Sequence, residues 1–155
     1  MTKRGLIARI CDRLAEELHM LVQAAQSTYD GATSEEARAE HQYDTRALEA
    51  SYLAGAQARR AGDMKDALMR YKSLAVDSFD GAKPIALTAL IQLESDGSQG
   101  WYFMGPCSGG LKVEHQGETV VVITPSAPLG RMLLGRSVGD SVTVGAREYE
   151  VIEIL

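Results

Sequence analysis

Carboxylates dominate the stretch Thr28–Glu49, which holds six acidic residues against two basic ones, Arg38 and Arg46. Glu36, Glu40 and Asp44 recur at i, i+4 and i+8 and so line one face of a helix. Like charges at that spacing repel, at roughly 0.2–0.5 kcal/mol per pair. Helix stability accounts for part of the cluster: Thr33 with Glu36 spells a capping box, and Glu35 and Glu36 suit the first turn, where carboxylates complement the helix dipole. Glu40 and Asp44 lie beyond that turn, and the dipole does not explain them. An exposed solvated face is the plain alternative. The chemistry such a cluster offers is partial Mg²⁺ binding, since that ion is commonly held by one or two carboxylates plus water or phosphate. A site of this kind needs a partner to complete it.

Two helical patterns must position these acids. The first spans about Lys3 to Thr28. Ile7, Leu14, Leu21 and Thr28 fall at one seam position, and Cys11, Leu18, Ala25 and Ala32 at the other, in alternating steps of four and three. Asp30-Gly31 is a turn signal, and Thr33 a helix N-cap. The second helix is expected from about Ser34 to Ala75, with a seam of Tyr43, Ala47, Ala50, Ala54, Gln57, Ala61, Met64, Leu68, Tyr71 and Ala75. Small residues face small ones near the tip, and Met64, Leu68 and Tyr71 face Ile7 and Leu14 near the base. That match favours an antiparallel hairpin within one chain, with residues 1–76 as one domain and the acids at its tip. At about 1.5 Å per residue, a 25-residue arm reaches roughly 38 Å. Gly62-Asp63 is a place where the second helix is expected to loosen, at about 1 kcal/mol for the glycine.

The 155 residues are 45% hydrophobic and 24% charged, ordinary for one or two small globular domains. Net charge is −5, which argues against broad nucleic-acid or membrane binding through a basic surface. Residues 1–75 carry equal numbers of acids and bases, while 76–155 carry five bases and ten acids. Two isolated cysteines, Cys11 and Cys107, make neither a disulfide framework nor a zinc site, so reduced thiols in a cytoplasmic protein are expected. Charges within Met1–Met20 exclude a signal peptide, and no run approaches the roughly 20 apolar residues of a membrane span.

A linker over 77–84 leads into residues 85–155, where strand-like runs cover Ile85–Leu93, Gly100–Met104, Gly110–His115, Glu118–Thr124, Ser141–Val144 and Arg147–Ile154. Gln116-Gly117 marks a tight hairpin. Pro128–Leu134 reads as one short helix, with Pro128 at its start, Gly135 and Gly139 in turns, and Leu129, Leu133 and Leu134 packed on the sheet. An α+β domain with a curled antiparallel sheet follows. Trp101, Tyr102, Phe103, Leu133 and Val142 are expected in its core.

The string Ser126-Ala-Pro-Leu-Gly-Arg-Met-Leu-Leu-Gly-Arg-Ser-Val-Gly-Asp140, followed by Val142, Val144, Gly145 and Arg147-Glu-Tyr-Glu-Val-Ile-Glu153, resembles the C-terminal domain of the GreA/GreB transcription elongation factors. The order of a helical hairpin before such a domain also fits that family, so the resemblance covers nearly the whole chain. It implies an antiparallel coiled coil followed by an FKBP-like domain that docks on bacterial RNA polymerase through Ser126, Pro128, Leu129, Gly130, Gly135 and Asp140. It further implies a tip that enters the secondary channel toward the nascent RNA 3′ end. The chain would have no cofactor of its own. Its tip would share the polymerase's Mg²⁺, with Glu35 and Glu36 as catalytic metal and water ligands and Glu40 and Asp44 in support. If both are helical, Glu35 and Glu36 sit about 100° apart, so they converge on one ion only where the turn is irregular. With Ala39–Asp44 aligned to the family's tip, Ser34 and Ala37 fall where cleavage-stimulating members carry Asp and Glu.

Several readings stay open. One is a monomeric stimulator of the polymerase's own transcript cleavage, not itself an enzyme. The second is a non-cleaving channel regulator. The third is a peptide-binding or prolyl-isomerase module using Trp101, Tyr102, Phe103 and Tyr149, for fold does not dictate function. The fourth is a dimerising coiled-coil adaptor.

Overall fold

The computed structural model describes residues 1–33 and 45–155. Helices α1 (Lys3–Thr33) and α2 (Thr45–Lys72) precede six strands: β1 (Leu90–Ser95), β2 (Ser98–Met104), β3 (Lys112–His115), β4 (Glu118–Ile123), β5 (Ser141–Val144) and β6 (Arg147–Ile154). A short helix α3 (Pro128–Leu133) lies between β4 and β5. The chain divides into two compact units, one of Cys11–Met69 and one of Met1–Ile10 with Arg70–Leu155. Among the described residues no helix is long and apolar enough to cross a membrane.

In the helical unit, α1 outruns its expected end. Asp30 and Gly31 are helical, so they make no turn there, and Thr33 is the last residue of α1. Gln26 donates to the Asp30 carboxylate at 2.9 Å, an i, i+4 bond that ties this acid to α1 itself. Arg13 likewise spans to Glu16 and Glu17 at 3.5 and 3.3 Å. Leu14, Ala61 and Leu68 are buried, and Leu18, Leu21, Ala25, Gln57 and Met64 half-buried, as the seam predicts. α2 runs unbroken through Gly62 and Asp63. Toward the chain's start the buried stripe is Leu6, Ile10 and Leu14, while Ile7 and Cys11 are only half-buried.

The second unit is built on one six-stranded sheet of order β3-β4-β2-β1-β6-β5. Its pairing is antiparallel except between β2 and β4, which run parallel with Trp101 opposite Val120 and Met104 opposite Ile123. The expectation of a wholly antiparallel sheet is corrected at this pair. Two-residue turns at Asp96-Gly97 and Gln116-Gly117 place both central residues at positive φ, matching the right-handed twist of the strands they join. The first strand starts at Leu90, not Ile85. A turn closes between Ala86 and Ala89, with Thr88 at φ +70, and Ile85 pairs instead with Gly135 and Arg136.

Period-2 alternation sends Ile91, Leu93 and Met104 to one face of the sheet, where they join Ile85, Ile123, Leu133, Val142, Val151 and Ile154 in a buried cluster. Phe103, Leu133 and Val142 are core as expected, while Trp101 and Tyr102 are half-buried. On the opposite face the start of α1 comes close to β3. The His115 ring meets the Thr2 carbonyl at 3.1 Å, and a Cβ on Gly5 would stand 2.9 Å from its Cε1. Lys3 donates to the Asp77 carbonyl and lies 4.4 Å from the Phe79 ring centre, a cation–π contact. Burial there holds the Lys3 ammonium below the ordinary lysine range, with Asp77 opposing the shift and Lys83 adding to it.

Candidate functional site

The segment from Thr124 to Asp140 is folded by its own backbone. Ala127 is extended, at φ −71 and ψ 151, and Pro128 occupies the first turn of α3, where no amide donor is needed. The Thr124 carbonyl accepts from Ala127, and Arg131 returns to the Ser126 carbonyl at 3.0 Å through its guanidinium. The Ser126 and Thr124 hydroxyls lie 3.2 Å apart. Gly130 is buried against the preceding loop, so that a Cβ would sit 1.9 Å from the Thr124 carbonyl oxygen. Leu133 is fully buried in the core, with Leu129 packed beside it. Gly135, at φ +78, turns the chain out of α3 and donates to the Ile85 carbonyl at 2.8 Å. The Asp140 carboxylate accepts from the Ser137 amide at 2.8 Å and closes the next turn.

The residues expected to meet a partner therefore separate by location. Ser126 and Pro128 are exposed, and Leu129 and Asp140 are half-buried. Gly130 is buried, so its contribution to a contact runs through the shape of α3. Leu134 was expected to pack on the sheet, but it is 39% exposed beside Met132 at 41% and Val138 at 46%. Helical spacing explains this. Leu129 and Leu133 are four residues apart and share the inward face, whereas Met132 and Leu134 are each turned about 100° from Leu133. Met132 and Val138 are surface residues that the sequence reading did not single out; the signal available was their offset from the buried spacing. Met132 and Leu134 therefore present exposed apolar side chains on two sides of α3, and Val138 presents another in the loop that follows.

Glu35, Glu36, Glu40 and Asp44, with Ser34 and Ala37, lie outside the described residues. Of the acids in the Thr28–Glu49 stretch, Asp30 and Glu49 are described, both exposed. No group of three or more metal-ligating side chains occurs among the described residues.

No known protein family matches the chain, and no curated protein does. Among solved structures it is similar to the GreA factor homolog 1 (Gfh1) protein of Thermus thermophilus, at 22% identity over 96% of this chain and 92% of that one, with a TM-score of 0.37. A structure of the transcription factor Gfh1 matches at 26% identity, over 93% of this chain and 92% of that one, also with a TM-score of 0.37. Thermus aquaticus Gfh1 matches at 22% identity over 99% of this chain and 96% of that one, with a TM-score of 0.35.

Proposed function

We propose that this chain is a GreA/GreB-like factor that binds bacterial RNA polymerase and inserts its helical arm, an antiparallel coiled coil, into the secondary channel of stalled or backtracked elongation complexes. The observation that carries this reading is the Ser126–Asp140 string, which resembles a motif of that family's C-terminal, polymerase-docking domain. The geometry of the segment supports it: the glycines and Asp140 hold a short helix against the sheet, and Pro128, Met132 and Leu134 are left outward for a partner. As part of the same proposal the sheet unit is FKBP-like, and the protein is a cytoplasmic monomer without catalytic activity of its own.

In this reading Glu35 and Glu36 meet the polymerase's weakly held Mg²⁺ and the attacking water, with Glu40 and Asp44 supplying negative potential. Hydrolysis assisted by two metals gains by stabilising both the attacking and the leaving oxygen. A second reading, a channel regulator that does not stimulate cleavage, is favoured by a specific observation. Ser34 and Ala37 stand where the family's cleavage-stimulating members carry Asp and Glu.

RNA shortening in a stalled, backtracked elongation complex, with and without the protein across a range of Mg²⁺ concentrations, separates the two. Shortening that is lost in Glu35→Ala with Glu36→Ala supports stimulated cleavage. Slower elongation without shortening supports the regulator. Absence of any association with core polymerase in a pull-down overturns both.

A further inference from the structure

A groove of about 440 Å³ lies within the second unit, where the start of α1 faces the end of α2 and the residues after it. Its lining includes the aliphatic side chains of Ile7, Ala8, Leu74 and Val76 and the cations Arg4 and Lys72. Arg4, Ile7 and Ala8 fall at i, i+3 and i+4, so α1 presents all three on one face. The volume is that of a site for a small ligand or a few side chains of a peptide.

The groove's own lining carries two cations, Arg4 and Lys72, and no acid. Asp77, which follows the lining residue Val76, is the neighbouring acid, and its charge acts on Lys3. Lys3 is engaged by the Asp77 carbonyl and the Phe79 ring. Arg4 and Lys72 are exposed, and among the described residues neither has a carboxylate within ion-pair distance. The occupant must therefore bring negative charge.

It must also bring aliphatic surface, because the lining offers no ring for stacking. Tyr71 touches the groove but is only 1% exposed, and its hydroxyl is spent on the Cys107 carbonyl at 2.8 Å. Single-stranded nucleic acids are gripped by exposed aromatic faces beside a basic track, and the first half of that requirement is missing. We propose that this groove docks an acidic, aliphatic peptide segment of a protein partner, its aliphatic side chains resting on Ile7, Ala8, Leu74 and Val76 and its carboxylates meeting Arg4 and Lys72. The inference uses none of the residues assigned to polymerase docking or to the acidic tip, so it stands or falls independently of that assignment.

The test is fluorescence anisotropy on the full chain with a labelled peptide that alternates leucine with glutamate and aspartate. Two probes run beside it: the same peptide with glutamine and asparagine, and a single-stranded RNA of equal charge. Expected is saturable binding of the acidic peptide that weakens with salt, and that falls about tenfold in Arg4→Gln with Lys72→Gln. Ala8→Trp, which fills the groove without touching its charge, removes the binding, and Lys112→Gln on the edge strand β3 leaves it intact. Circular dichroism of each variant establishes that it is folded. Equal binding of the neutral peptide, tighter binding of the RNA through the same residues, or acidic-peptide binding unaffected by Ala8→Trp overturns the proposal.

Discussion

Gly130, expected at a docking face, also has a packing role within the fold. A Cβ on it would stand 1.9 Å from the Thr124 carbonyl oxygen. Backbone cannot yield as a side chain can, so Gly130→Ala is expected to destabilise by about 1–3 kcal/mol or more, as overpacking does. Gly135→Ala meets open space but a φ of +78, and is expected to cost about 1–2 kcal/mol from the left-handed conformation alone. Urea unfolding of the two variants checks that order; equal or reversed losses would show that α3 moves away from the loop easily. Chemical type was legible at both positions, but the distinction between a crowded glycine and a left-handed one needed coordinates. Tyr102 gives a prediction in pH. Burial, then Tyr149, raise its phenol above the ordinary range, with Arg147 opposing. The unfolded chain then loses the proton first, so stability is fully present below about pH 10 and falls as the pH rises beyond it. Tyr102→Phe is expected to flatten that part of the stability–pH curve. An unchanged slope in urea midpoints above that pH contradicts the assignment.

At the scale of elements, periodicity gave the strands and helices, and local chemistry gave the two-residue turn at Gln116-Gly117. The bounds of β5 and β6 match expectation because charged or glycine-containing turns flank them. What periodicity missed is instructive. Ile85–Ala89 looks continuous with β1, but Thr88 at φ +70 breaks the run, and Ile85 pairs with the turn after α3. That pairing is made by backbone groups, which side-chain patterning does not encode. Parallel pairing of β2 with β4 was hidden for the same reason. In α1 the heptad seam holds from Leu14 onward, then drifts to Leu6 and Ile10, consistent with a straight helix turning at 3.6 residues and a base that approaches the sheet beside His115. Burial now ranks two substitutions in the arm. Leu14 is 1% exposed whereas Leu21 is half-buried. Leu14→Asp strands a charge without a partner and is expected to cost on the order of 3 kcal/mol, with Leu21→Asp costing clearly less. Far-ultraviolet circular dichroism follows the helices and Trp101 fluorescence the sheet. Parallel loss of both signals in Leu14→Asp would show that the arm and the sheet unfold as one cooperative body.

At the scale of the whole molecule, the proposed activity divides between two regions far apart in sequence, and that division is itself testable. In the proposal, the four carboxylates between Glu35 and Asp44 carry the chemistry, and the exposed apolar residues on and beside α3 carry the affinity. Interactions made equally in bound ground state and transition state change occupancy, while those made only at the reacting centre change the maximal rate. Met132→Glu places a charge at an exposed apolar position of α3 without disturbing Leu133, so the fold is expected to survive. In the backtracked-complex assay it should raise the concentration needed for half-maximal effect by roughly tenfold or more, as loss of an apolar interface contact does, and leave the effect at saturation unchanged. Replacing Glu35, Glu36, Glu40 and Asp44 by their amides should do the opposite, keeping the half-maximal concentration and removing the effect. Removing four negative charges also reduces long-range steering, so measurement at moderate salt keeps the comparison one of contacts. If the amide variant instead loses polymerase affinity as severely as Met132→Glu, the acids are part of the binding surface and not of the chemistry. If Met132→Glu leaves affinity intact, the Met132 side of α3 is not the docking face, and the resemblance in Ser126–Asp140 reflects how that segment folds, not what it binds.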